Sequence, residues 1–411
     1  MDETSDRSTA AKVAVIVAPF GLSYFMAYLF RSVNAVVAPD LVRDLGLTAS
    51  GLGLLTAAYF FAFAAAQLPL GVMLDRFGPR RVQAGMLLVA VTGALLFSFA
   101  ENVATLTIAR GLVGLGAAGG LMSSFKAVAL WFRRDQIPVF NGLVMAFGGL
   151  GALVASAPAD FAVQLFGWRT TFGLLAVVTL ASAAVIMLIV PERAGGQAPA
   201  GLRALVADLA RIYRDRWFWR MAPLIVTTCG CQLAIQTLWA GPWLRDVAGL
   251  DRAGVALHVG AIAVGFMVGM PLMGLLATRL QRRGIDLVDT MVGLMALLLV
   301  FELAVVFGGS PWPLLDWFVL GFLGQGGVLA YARMPDQFGM ALGGRATTAM
   351  NLMVFATAFA AQYAIGGVID LWPTGADGGY AVAGYQTAFG AALVLQVAAL
   401  AWFFRRPARA P

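Results

Sequence analysis

The chain has 411 residues, 60% of them hydrophobic and only 12% charged, with a formal net charge of +7. Soluble domains hold about 25% charged residues, so two or three soluble domains of this composition could not cover their surfaces. Disorder and a disulfide-built scaffold are excluded by the high apolar content and by a total of two cysteines.

A spanning helix needs about 20 apolar residues, and continuous apolar runs point to helices, because barrel strands alternate. In chain order the runs predict spans at Val13–Ala38, Leu54–Leu74, Val82–Phe99, Leu106–Leu130, Val139–Phe161 and Phe172–Val190. Six more follow at Met221–Trp243, Val255–Ala277, Met291–Phe307, Leu314–Ala332, Ala349–Leu371 and Ala381–Phe404. The polar stretch from Pro191 to Arg220 divides the twelve six and six. The expected organisation is an N-terminal bundle over 1–190, a cytoplasmic linker over 191–220 and a C-terminal bundle over 221–411.

Lys and Arg near short loops stay on the cytoplasmic side. With the N-terminus inside, 21 of the 28 basic residues fall on cytoplasmic segments, among them Arg7, Lys12, Arg134, Arg193, Arg406 and Arg409. Arg43, Arg169, Arg245 and Arg252 fall outside, and Arg31, Arg110 and Lys126 lie within spans. The alternation holds through all twelve segments. It predicts a multi-pass protein of the inner (cytoplasmic) membrane with both termini cytoplasmic. The basic excess then lies along the anionic inner leaflet, and no nucleic-acid partner is expected. The first span is long and lacks a cleavage site, so no cleavable leader is expected. Cys229 and Cys231 lack the partners of a metal site and read as packing residues; no metal or cofactor is expected.

The halves echo one another. Gly71-Val-Met-Leu-Asp75-Arg76-Phe-Gly78-Pro-Arg80-Arg81 has a counterpart in Gly274-Leu-Leu-Ala-Thr278-Arg279-Leu-Gln-Arg282-Arg283. Gly111, Gly114 and Gly116 share their spacing with Gly321, Gly324 and Gly326, and Gly167-Trp168-Arg169 resembles Gly384-Tyr385-Gln386. The Gly71–Arg81 run is similar to the signature loop of the major facilitator superfamily, departing at Pro79. Leu106-x-x-x-Arg110-x-x-x-Gly114-x-Gly116 resembles that family's fourth-helix motif, with Val113 in place of a glutamine. Span five carries Gly148-Gly149-Leu-Gly151 without the Gly-Pro pair of the family's antiporters.

The resemblance implies an all-α membrane fold of twelve helices in two pseudo-symmetric six-helix bundles, with access to a central site alternating between the two faces. It also implies that helices one, four, seven and ten line that site. In the signature loop (Gly71, Asp75, Arg76, Gly78, Arg80, Arg81), Asp75 is expected to pair with the arginines and approach a helix N-terminus. There it would staple the halves on the cytoplasmic side. Thr278 makes the staple one-sided.

Charges inside a membrane face a wet cavity or a partner. At 100° per residue, Tyr24 and Arg31 share a stripe of span one, flanked by Tyr28 and Asn34. Arg110 falls at comparable depth on span four. Span seven offers Gln232, Gln236 and Trp239, span ten Gln325, and span eleven Asn351 with Gln362 on the same face. No acid lies deep in the first-half spans, and a guanidinium binds carboxylate or phosphate in a fork. The expected substrate is therefore a small organic anion held by Arg31 and Arg110. Tyr24, Tyr28, Asn34, Gln232, Gln236, Trp239, Gln325 and Asn351 serve as neutral contacts. Lys126 is expected to snorkel at the inner end, Glu302 to be solvated at the outer rim, and His258 to be a satisfied polar residue.

Nothing resembles a catalytic constellation or a phosphate-cradling loop. The expectation is a monomeric secondary or facilitative transporter whose partners are its solute, the lipid bilayer and coupling protons or a counter-substrate. The alternatives are a proton-coupled exporter of hydrophobic drug-like compounds and a non-transporting membrane sensor.

Overall fold

Hydrocarbon offers the backbone no hydrogen bonds, so each apolar run satisfies its amides internally as a helix. The computed structural model describes residues 9–133, 136–192, 202–307, 312–375 and 379–405. Arg7, Arg134, Arg193, Arg406 and Arg409, with residues 193–201 of the expected linker, lie outside them. Among the described residues eleven helices are long and apolar enough to cross a membrane, and a further apolar helix, Val139–Val154, is shorter.

The helices are α1 (Thr9–Ser32), α2 (Asn34–Leu45), α3 (Ala49–Ser98), α4 (Val103–Trp131), α5 (Ile137–Val154) and α6 (Ala157–Ile189). An amphipathic α7 (Leu202–Tyr213) precedes α8 (Arg216–Asp246), α9 (Arg252–Arg282), α10 (Leu287–Phe307), α11 (Pro313–Leu323), α12 (Leu329–Ile369) and α13 (Val382–Arg405). The expected first span is thus two helices, because the chain turns at Val33 and Asn34 Nδ2 donates to Thr56 Oγ1 at 3.0 Å.

Three long helices are broken by a single glycine. Gly78 in α3, Gly167 in α6 and Gly339 in α12 share φ near +76° and ψ near 160°. An L side chain is strained there, so glycine reverses the chain without a longer loop. Helix starts are capped by carboxylates and amides, as where Asn102 Oδ1 accepts from Thr105 N at 2.9 Å and Asp251 Oδ1 from Gly254 N at 2.8 Å.

The chain groups into two compact units, residues 1–33 with 61–201, and residues 34–60 with 202–411. In the first, Phe97 stacks on Phe172 with centroids 4.0 Å apart and meets Trp168 edge-on at 5.6 Å. In the second, Arg252 Nη2 reaches Asp40 Oδ2 at 2.9 Å. The Asp370 carboxylate accepts from the amides of Ala49 and Ser50 at 3.0 and 2.9 Å, which ties residues 34–60 into that unit. Many large apolar side chains face outward, Leu188, Val394 and Phe161 among them. On a water-soluble surface such patches would be unstable, and a bilayer suits them.

Candidate functional site

In the first unit the expected stripe of α1 is buried. Arg31 is 5% exposed, with its guanidinium 4.5 Å from the Tyr28 ring centroid and 5.0 Å from that of Phe63. Tyr28 in turn meets Tyr24 edge-on at 5.0 Å. Cation–aromatic contacts of this kind are worth about 2 kcal/mol when desolvated. Glycines make the room: a Cβ on Gly148 of α5 would stand 2.5 Å from Tyr24 Cε1, and one on Gly151 would strike the Phe25 carbonyl. Arg110 of α4 is fully buried and its Nη1 donates to the Phe30 carbonyl at 2.9 Å. The turn of α1 that carries Arg31 is thereby pinned.

In the second unit α8 carries a run of buried polar groups. Gln232 Nε2 donates to the Leu320 carbonyl at 3.0 Å. Its Oε1, Gln236 Oε1, Thr228 Oγ1 and Trp239 Nε1 are buried without a hydrogen-bond partner among the described residues. Residues Ile235–Trp239 form a π turn, a local widening common at functional sites. Gln362 of α12 supports it, its Nε2 donating to the Ala234 carbonyl and to Thr237 Oγ1, both at 3.0 Å. Gln325 is buried and bonds weakly to its own turn at Gly321 O, 3.4 Å away, and the half-buried Asn351 meets Tyr331 at 3.4 Å. Asn34, bonded to Thr56, belongs to this second unit.

Phe63, Thr228 and the π turn escape sequence reasoning. Phe63 is one phenylalanine of 28, and a π turn leaves no periodic trace in so apolar a run. The buried glycines did leave a signal, in the Gly148–Gly151 cluster.

The signature loop differs from expectation. Asp75 pairs with Lys126 Nζ at 2.8 Å, while Arg80 and Arg81 reach Glu192 at 3.6 and 3.2 Å. Arg80 also donates to the Met187 carbonyl. Lys126, expected to snorkel, thus has a carboxylate partner on α3. Both partners are partly exposed, with side-chain exposures of 36% and 27%, so the pair is worth about 0.2–1 kcal/mol. A double-mutant cycle on Asp75→Asn and Lys126→Met should return a coupling of that size in thermal denaturation. Strict additivity would show that the pair contributes nothing.

Glu302 corrects a second expectation. It is 5% exposed, not solvated at a rim, since it faces Gln396 across α10 and α13. His258 is satisfied by the Gly254 carbonyl at 2.7 Å. Cys231 is buried and Cys229 packs against Gly327.

A family model described as Major Facilitator Superfamily matches residues 20–362. The probable sulfoacetate transporter SauU of Cupriavidus necator is 26% identical over 280 residues, 64% of this chain and 64% of that protein. The chain thus spans just under two thirds of that relative. The probable galactarate/D-glucarate transporter GudP of Escherichia coli is 22% identical over 89% of this chain and 88% of its own length. A crystal structure of a bacterial homologue of the human lysosomal transporter Spinster superposes with a TM-score of 0.77. It is 16% identical and covers 97% of each chain, which establishes likeness of fold.

Proposed function

The chain belongs to the Major Facilitator Superfamily, and on that premise we propose that it carries a small organic anion, bearing carboxylate or phosphate, across the inner membrane. The observation that carries this is Arg31: a guanidinium 5% exposed within a spanning helix, held over Tyr28 and Phe63. Burying a charge there costs about 2.5–3.5 kcal/mol on insertion scales. The aromatic contacts are among the interactions that offset this cost, and a bound anion adds to them. A guanidinium also orients a planar acid through paired hydrogen bonds, which a point charge cannot do.

Arg110 is the second basic contact and, through Phe30, positions Arg31. Tyr24, Tyr28, Asn34, Gln232, Gln236, Trp239, Gln325 and Asn351 are the neutral contacts. The unpartnered acceptors of Gln232 and Gln236 suit hydroxyl or ammonium donors on the solute. The bundles 1–190 and 221–411, joined by 191–220 with both termini cytoplasmic, alternate access as a monomer, driven by protons or a counter-substrate. Two relatives named as transporters of organic acids support this substrate class.

The test is a thermal-shift screen of purified protein against carboxylates, phosphates, hydrophobic cations and neutral solutes. A ligand at 100 times its Kd stabilises by about 2.7 kcal/mol. Stabilisation by the acids alone is expected. Stabilisation by hydrophobic cations and not by acids would replace this proposal with drug export.

A further inference from the structure

Glu302 on α10 and Gln396 on α13 meet inside the second unit, 5% and 0% exposed. The amide Nε2 donates to carboxyl Oε2 at 2.7 Å. One oxygen remains on each side: Glu302 Oε1 and Gln396 Oε1 are both buried without a hydrogen-bond partner among the described residues. If Glu302 is ionised both are acceptors, and neither can satisfy the other. Exchanging the amide oxygen and nitrogen leaves the same shortage of donors.

Nor, among the described residues, does Glu302 make an ion pair: its partner is the neutral Gln396 amide. A proton on the carboxyl group would supply the donor that the two unpartnered oxygens lack.

We propose that Glu302 and Gln396 form a proton-binding site. The proton, taken from bulk water, sits on Glu302 Oε1 and is donated to Gln396 Oε1. With the existing Nε2–H···Oε2 bond this closes a ring of two hydrogen bonds and clasps α10 to α13. The only change is carboxylate plus proton giving the carboxylic acid. Because the folded protein holds this proton and the unfolded chain releases it, the clasp stabilises the fold at low pH. That stabilisation is lost as pH rises through the point where the folded protein releases the proton.

Glu302→Gln is the decisive variant, since its amide can both donate to Gln396 and accept from it, copying the loaded state. In lipid at neutral pH, the infrared difference between wild type and Glu302→Gln should show the carbonyl band of a protonated carboxylic acid in the wild type. The thermal midpoint of the wild type should fall with rising pH relative to that of Glu302→Gln, with the two equal at low pH. Absence of the band, or parallel midpoint curves, overturns the proposal. Gln396→Leu provides a check that does not depend on the first variant folding: the acid band should persist but move to higher frequency. An unmoved band overturns the ring.

Discussion

Arg31→Gln is expected to abolish anion uptake in proteoliposomes while leaving the fold intact. Truncating one partner of a buried, hydrogen-bonded charge pair costs about 2–5 kcal/mol, a loss of roughly 30-fold to several thousand-fold in affinity. Retention of the fold is read separately, from the thermal midpoint and size-exclusion profile of the variant. Glutamine keeps a long polar side chain beside Tyr28 and Phe63. Arg31→Lys keeps the charge and loses the fork, so its uptake should fall between the two. Wild-type uptake by Arg31→Gln would end the assignment of Arg31 to the substrate, whatever else the carrier transports.

Gly321→Leu should prevent the second unit from assembling. Gly321 of α11 lies so close to α9 that a Cβ would strike the Ile262 carbonyl, and Gly265 of α9 meets the Phe318 carbonyl in the same way. The contacts are reciprocal, backbone against backbone, and offer no flexible side chain to yield. Small residues let helices approach where lipid supplies no hydrophobic drive between them. Overpacking a filled site costs about 1–3 kcal/mol, and that range is the expectation for Gly321→Ala; leucine must push the helices apart. Gly274→Ala in α9 and Gly293→Ala in α10 are the controls, since nothing lies within 4 Å of a Cβ at either position. There, alanine should gain about 0.5–1 kcal/mol through helix propensity. The amount of folded protein by fluorescence size exclusion and its thermal midpoint would check this. Equal behaviour of Gly321→Ala and the controls would show that the close approach carries no energetic weight.

The glycine echo shows how much of the architecture was readable. Gly116 and Gly321 each belong to the glycine spacing shared by spans four (Gly111, Gly114, Gly116) and ten (Gly321, Gly324, Gly326). In the structure each marks a helix crossing, Gly116 against Met86 and Ala90, Gly321 against Ile262. The glycines of the loop motifs were similarly informative, because Gly78 and Gly167 both occupy positive-φ turns. Gly339 does the same work with no motif around it to mark it in the sequence. Of the candidate site, the stripe of Tyr24, Tyr28 and Arg31 was legible because helical periodicity is a local property of neighbouring residues. Phe63 beneath Arg31 was not, being 32 positions away on another helix.

From the sequence alone came the membrane class, the helical spans, the side of the membrane that each charge was expected to take, and the family. These depend on sums over short windows, about 20 apolar residues for a span and a bias of Lys and Arg between loops, so no tertiary contact enters them. Only the tertiary structure decided which polar groups meet. Lys126 is joined to Asp75, Arg110 to the Phe30 carbonyl and Glu302 to Gln396 across separations of 51, 80 and 94 positions. Inside hydrocarbon a polar group must find a partner wherever packing delivers one. That delivery is set by how helices cross at their glycines, which periodicity along one helix cannot express.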